Sequence, residues 1–319
     1  VAGAVKVLAV DGGGIRGVIP ATVLAEVERR TGRAVSSLFD LIVGTSTGGI
    51  IALGLTKPGD DGGPAWKASD LVTLYEREGH NIFSRSIWQR IRSVDGILDA
   101  KYGARGLEHA LERYFGDARL GQALAAVMVP AYDLERRQPF FFRSRRAAED
   151  PAYDFLMREA ARATSAAPTY FEPPQLRNAA TGERFALVDG GVFANNPAMT
   201  AYAEILSEQG HADVLMLSLG TGQLTRPIPY EEARGWGVLG WARPILDVVL
   251  DGVSDTTDYE LEQVLGTARH VRLQTELDRG SDDLDDATPE NIATLEDKAR
   301  EMIRAHEPEL DRICSQLVE

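Results

Sequence analysis

Short, nearly unbroken apolar runs recur along the chain, and several of them end in glycine. Val5 to Val10 is the first, and it feeds directly into Asp11-Gly12-Gly13-Gly14-Ile15-Arg16-Gly17. Val18 to Arg30 then places Val23, Leu24 and Val27 at helical spacing, which predicts a helix with one buried face. Leu38 to Val43 reads as a second strand, and Ile50 to Leu55 as a mostly apolar, buried helix. Lys57 to Pro64 is a loop by its proline, glycine and aspartate content. Helices follow over Ser69 to Gly79 and Tyr102 to Phe115, then a strand over Ala125 to Pro130 and an extended aromatic run, Phe140 to Arg143. Phe155 to Thr164 is helical, Arg184 to Asp189 is a strand, and Asn196-Pro197 opens a helix that continues to Leu206. Val214 to Leu219 is apolar at nearly every position, the mark of a strand buried on both faces.

Strands that alternate with helices in this way predict an α/β fold. We expect three α/β/α layers around a mostly parallel central sheet. No repeat or linker divides the chain, so it reads as one domain over residues 1–319. Its motifs fall within about residues 5–223, and residues 224–319 read as a C-terminal helical extension ending in one or two amphipathic helices over Glu290 to Val318. Within that extension, Trp236, Val238, Leu239, Trp241, Ile245, Leu246, Val248, Val249 and Leu250 make the richest apolar segment outside the sheet. It reads as a buried helix first, and as a lid or docking surface for acyl chains second.

Composition changes this picture in a few respects. With 319 residues, 44% hydrophobic and 26% charged, the chain has the make-up of an ordinary globular protein. A net charge of -14 repels nucleic acid, so no nucleic-acid polymer is expected as a partner. Cys314 is the one cysteine and excludes an intrachain disulfide. No apolar run is long enough to span a bilayer. A cytoplasmic or peripheral-membrane location is expected, with secretion left open because the chain begins at Val1 without an initiator methionine. The acidic stretch from Asp278 to Asp286 lacks the ligand spacing of a calcium loop and reads as a mobile, solvated loop.

The chemistry sits at the glycines. Gly44-Thr45-Ser46-Thr47-Gly48 follows a strand and precedes a helix. That is the pattern of a nucleophile elbow, in which a serine on a sharp strand-to-helix turn projects its hydroxyl from the fold. A serine needs a base, and none of His80, His109, His211, His270 or His306 lies in a loop suited to that role. Asp189 ends a strand and is followed by Gly190 and Gly191. Taken alone it reads as a turn-initiating aspartate; beside the elbow it is a candidate base. Gly12 to Gly17 contains a Gly-x-Gly-x-x-Gly pattern, but the second strand runs into Ser46 rather than into the acidic residue a dinucleotide site needs. The other use of such a loop is to aim backbone N–H groups at an oxyanion. Arg16 either adds positive charge there or bridges structurally to a carboxylate. A Ser-His-Asp esterase and a nucleotide-binding protein using Gly12 to Gly17 remain the alternatives.

Asp-Gly-Gly-Gly-x-Arg-Gly at 11–17, Gly-x-Ser-x-Gly at 44–48 and Asp-Gly-Gly at 189–191, in that order, resemble the patatin-like phospholipases. Ala163-Thr164-Ser165-Ala166-Ala167-Pro168 is similar to a further family block, in shifted and partial form. The resemblance covers about residues 5 to 223. It implies a lipid acyl hydrolase of the phospholipase A or lysophospholipase type, with Ser46 as nucleophile and Asp189 as base. Gly12, Gly13 and Gly14 would form the oxyanion hole, and Arg16, Gly44, Gly48 and Gly190 would support the site. It implies no cofactor and no catalytic metal, a phospholipid or other acyl-lipid substrate, and peripheral membrane contact. Some relatives are switched on by small molecules or host factors, but no activator site is recognisable in this sequence.

Overall fold

In the computed structural model, residues 3–82, 104–210, 213–241, 244–279, 281 and 283–319 are described, without the side chains of Leu224 and Leu239. The main sheet has the strand order β5-β6-β3-β2-β1-β7-β9, with β4 off this path and paired to β3. Its strands are β1 (Val5–Val10), β2 (Leu41–Gly44), β3 (Ala126–Asp133), β4 (Gln138–Arg143), β5 (Gln175–Arg177), β6 (Arg184–Asp189), β7 (Val214–Leu219) and β9 (His270–Leu273). A two-stranded parallel ribbon pairs β8 (Gln223–Leu224) with β10 (Glu276–Leu277). The β1–β2, β1–β7, β2–β3 and β7–β9 pairs are parallel, whereas β3–β4, β3–β6 and β5–β6 are antiparallel.

The helices used below are α1 (Val18–Thr31), α2 (Thr47–Thr56), α3 (Ala68–Ile82), α4 (Arg105–Phe115), α5 (Met157–Thr164), α6 (Ala198–Gln209), α7 (Pro244–Leu265), α8 (Pro289–Ala305) and α9 (Glu307–Val318). They cover both faces of the sheet, as the unbroken apolar runs require. In β1, Leu8 and Val10 join the large cluster built with α1, α2, α3, α8 and α9. Val7 and Ala9 point the other way, to the smaller cluster with Ala198, Ala201 and Ile205 of α6 and Leu261 of α7. Each valine, leucine or isoleucine among them contributes about 1.5–3 kcal/mol on burial, so β1 is anchored from both sides. The expected three-layer α/β/α architecture is the one found.

Two features differ from the sequence reading. Residues 224–319 are not only helical: they supply β9, which extends the main sheet beside β7. The strands of the sheet also reach the functional rim in two directions. Parallel strands β1, β2, β7 and β9 end there at Val10, Gly44, Leu219 and Leu273, aligned by register. β3 overshoots that level, and β6 returns antiparallel along its far half, so that Asp189 pairs with Ala131. Edge-to-face packing of Phe142 on Phe155 (5.3 Å) and Phe155 on Phe185 (5.8 Å) fixes this return, since it ties β4 and β6 to one aromatic cluster. Of the predicted 102–115 helix, residues 102 and 103 lie outside the described residues, and α4 runs from Arg105 to Phe115.

Candidate active site

Ser46 occupies the turn between β2 and α2 with φ 55° and ψ -121°. That is left-handed backbone, which costs a non-glycine residue about 1–3 kcal/mol and persists only where the surroundings impose it. The surroundings here are close. A Cβ at Gly44 would collide with the Gly48 carbonyl, and one at Gly48 with the carbonyl of Val10. The first turn of α2 can therefore sit directly on the ends of β1 and β2 only because these two positions carry no side chain. The Ser46 amide donates to Thr164 Oγ1 at 2.9 Å, and that hydroxyl donates in turn to the Pro130 carbonyl at 2.7 Å. Thr45 Oγ1 donates to the Ala194 carbonyl at 2.6 Å, locking the other flank of the turn.

The structure brings Ser46 and Asp189 together across 143 residues of sequence: Ser46 Oγ donates to Asp189 Oδ2 at 2.6 Å. Asp189 Oδ1 accepts the Gly191 amide at 2.8 Å. Neither partner is cationic, and the carboxyl is only 4% exposed. Burial pushes Asp189 up to about 7, against the lowering effect of the Ser46 hydroxyl and the Gly191 amide. Gly190 packs against the Pro130 carbonyl, which seats the turn after β6 on β3.

The glycine loop lies on the β1 side of Ser46, and its three glycines are not equivalent. The Gly12 amide already donates to the Asn195 carbonyl at 3.0 Å, so Gly12 does not supply an oxyanion donor, contrary to the expectation from sequence. The Gly12 carbonyl accepts Thr221 Oγ1 at 2.7 Å, which orients the next peptide. Among the described residues no acceptor faces the amides of Gly13 and Gly14, and both residues line the cavity beside Ser46. Gly14 has φ +57°, and a Cβ there would strike the Leu284 carbonyl. That same carbonyl accepts the Ile15 amide at 2.9 Å. The acidic stretch read as a mobile loop is thus, at Leu284, a buried strut for the glycine loop.

Arg16 is buried and its Nε donates to the Gly13 carbonyl at 3.3 Å, so part of its role is to hold the loop. Burial pushes the carboxyl of Asp251 on α7 up, and the charge of Arg16 partly opposes that rise. Asp11, ahead of the glycines, is gripped by Arg272 of β9 through two bonds of 2.9 and 2.6 Å. Thr164, Thr221, Asn195 and Arg272 were not singled out as site residues from sequence. Thr164 stands inside the Ala163 to Pro168 block, which was the available signal; Arg272 had none.

A narrow cavity of about 70 Å³ opens over the Ser46–Asp189 pair. Its walls are apolar, with Ile50, Leu74, Tyr170, Phe171, Leu246 and Leu250 among them. Leu246 and Leu250 come from α7. The same helix exposes Ile245, Val248 and Val249 on its outer side, and Val238, just before it, is 88% exposed. The segment read as a buried helix is therefore amphipathic, half cavity wall and half surface; the Leu239 side chain lies outside the described residues.

No histidine lines this cavity among the described residues. His80 and His109 are exposed, and His306 is half-buried at the α8–α9 junction. His270 pairs with Met216 three residues back from the rim, and His211 lies outside the described residues. The geometry thus brings none of the four described histidines to Ser46. Nor does the loop suit a nucleotide phosphate: the amides of Gly12, Ile15 and Arg16 are bonded to protein carbonyls, and the two open amides face an apolar cavity beside a carboxyl group.

The patatin-like phospholipase family model matches residues 8–202. The chain is 32% identical to Patatin-like protein 2 of Arabidopsis thaliana, over 94% of this chain and 83% of that one. It is 32% identical to Patatin-like protein 1 of Oryza sativa subsp. indica, over 91% and 79%. It is also 32% identical to a Solanum tuberosum protein named "Probable inactive patatin-3-Kuras 1", over 91% and 84%. Among solved structures it is similar to VipD from Legionella pneumophila with a TM-score of 0.43 and 13% identity, over 96% of this chain and 67% of that one. The chain belongs to the patatin-like phospholipase family.

Proposed function

We propose that this protein is a serine lipid acyl hydrolase that cleaves fatty-acyl esters of phospholipids or related membrane lipids through Ser46 and Asp189. The observation that carries the reading is the 2.6 Å bond between Ser46 Oγ and the buried Asp189 carboxyl at the base of an apolar cavity. The acyl chain lies along Ile50, Leu74, Leu246 and Leu250. Asp189, as carboxylate, takes the Ser46 proton as Oγ attacks the ester carbonyl. Negative charge on the tetrahedral intermediate falls to the Gly13 and Gly14 amides. The carbon–oxygen bond to the alcohol then breaks, and the alcohol oxygen leaves with the proton from Asp189. Water attacks the acyl-Ser46 ester, giving its proton to Asp189; Ser46 recovers that proton as the fatty acid departs.

Peripheral membrane contact belongs to the same proposal. The outward Ile245, Val248 and Val249 of α7 sit on the helix whose other face walls the cavity, so a lipid chain leaving a bilayer meets apolar surface throughout. No described helix is long and apolar enough to cross a membrane. The test is mass spectrometry of products from a mixed lipid extract, with the Ser46→Ala protein as blank. Fatty acid and the matching deacylated lipid should accumulate only with the unaltered protein. Equal release by folded Ser46→Ala would end this reading.

A further inference from the structure

Among the described residues, one buried polar side-chain atom in the cavity has no hydrogen-bond partner. Ser165 follows the last residue of α5, with φ -96° and ψ 8°, and its amide donates to the Ala161 carbonyl at 3.2 Å. Its side chain lines the cavity over Ser46, the residue is 8% exposed, and Oγ has no hydrogen-bond partner. Other polar side chains bordering the cavity are engaged. Ser46 bonds Asp189, Tyr75 bonds the Thr47 hydroxyl, and Asn195 Nδ2 donates to Ser254 Oγ at 3.0 Å. A buried hydroxyl left unpaired costs about 1–3 kcal/mol, so its retention in an otherwise apolar wall points to a partner that arrives with the substrate.

The neighbours of Ser165 say where that partner lies. Thr164 Oγ1 accepts the Ser46 amide at 2.9 Å, and the Ala166 carbonyl accepts the Asp189 amide at 3.1 Å. Ser165 is therefore carried between the residue that holds the proposed nucleophile and the residue that holds its base. In strand order this is the β6–β3 side of Ser46, opposite Gly13 and Gly14 at the end of β1. An ester attacked at Ser46 turns its carbonyl oxygen toward the glycine amides. Its alkoxy oxygen must then point toward Asp189 to collect a proton. The acyl chain occupies apolar wall and offers no acceptor.

We propose that Ser165 is a substrate-binding residue whose hydroxyl donates a hydrogen bond to an oxygen on the alcohol side of the scissile ester. It favours esters of polyols such as glycerol, whose alkoxy and neighbouring oxygens are basic enough to accept strongly. The inference rests on the hydrolase reading above. It acts on acyl transfer to Ser46 and not on later hydrolysis of the acyl-enzyme, from which the alcohol has gone.

The experiment compares kcat/KM on two esters of one fatty acid, a monoacylglycerol and a p-nitrophenyl ester, for the unaltered protein, Ser165→Ala and Ser46→Ala. One lost neutral hydrogen bond predicts about a tenfold fall for Ser165→Ala on the glyceryl ester. The change on the p-nitrophenyl ester should stay within about twofold, because nitrophenolate is a weakly basic leaving group. The Tm of Ser165→Ala should equal or exceed that of the unaltered protein, since an unsatisfied hydroxyl is removed. Ser165→Cys, which keeps the volume but donates weakly, should give the same ester-selective loss. If Ser46→Ala abolishes both activities while Ser165→Ala changes both esters equally or neither, the role of Ser165 is overturned and the hydrolase reading stands. A lowered Tm for Ser165→Ala overturns it too, by revealing a structural partner. Activity surviving in Ser46→Ala removes the hydrolase reading itself, and the assignment of Ser165 with it.

Discussion

Asp189 makes a prediction that joins activity to stability through one proton. Its carboxyl is buried without a cation, and the hydrogen bonds from Ser46 and Gly191 do not offset the loss of solvent, so its pKa is pushed up to about 7, well above the usual carboxylate range. A base must be ionised to act. The logarithm of kcat/KM should therefore rise with unit slope up to about pH 7 and level off above it. At pH 5 the activity should be about one hundredth of the plateau, where an ordinary aspartate would be almost fully ionised. Folding stability should move the opposite way. Between about pH 4 and pH 7 the native state holds a proton that the unfolded chain has released, so stability falls as pH rises. A shift of about 3 pH units at about 1.4 kcal/mol each gives a loss of about 4 kcal/mol. Asp189→Asn carries no charge at any pH and should lack this loss. Urea unfolding of both proteins from pH 4 to pH 8 isolates it: the stability of Asp189→Asn relative to the unaltered protein should climb by about 4 kcal/mol up to pH 7, then stay flat. A rate profile with its limb below pH 5, together with a pH-independent stability difference, would show that Asp189 is ionised throughout and that desolvation does not dominate here.

Two further outcomes follow from backbone and charge. Ser46→Gly and Ser46→Ala both lose the bond to Asp189, yet only glycine adopts φ 55° without strain. Ser46→Gly should therefore be about 1 kcal/mol more stable than Ser46→Ala in chemical unfolding, and equal stability would mean that the elbow relaxes once the hydroxyl is gone. Arg272→Ala leaves Asp11, 2% exposed, without its guanidinium, which should cost about 3–5 kcal/mol; a cost near zero would show that water or another cation reaches Asp11.

What the sequence discloses about the site is what the backbone decides locally. The elbow at Gly44 to Gly48 and the glycine loop after β1 are both turns that demand particular residues within a few positions, so they can be read without coordinates. Asp189 was harder, because a strand ending in Asp-Gly-Gly also describes an ordinary turn. What distinguishes it is burial and a partner 143 residues away, and periodicity carries no record of either. The same limit explains the error at Gly12: its amide looks free in sequence and is spent on the carbonyl of Asn195. The direction of β6 is not legible in the sequence for a related reason. A strand has the same alternation whichever way it runs, and only the aromatic cluster around Phe155 and Phe185 commits it to return along β3. Arg272 stands in a segment that was read as part of a helical extension, and nothing local marks it, because its meaning lies in Asp11.

That contact has a bearing on when the protein can begin to work. Asp11 and Arg272 stand 261 residues apart, so during synthesis the N-terminal loop emerges from the ribosome long before its counter-charge exists. Until β9 has been made and has docked beside β7, the glycine loop begins with a carboxylate that resists being taken out of water. The glycine loop is in this way seated only once β9 has been made, and a chain interrupted before Arg272 leaves Asp11 without its counter-charge.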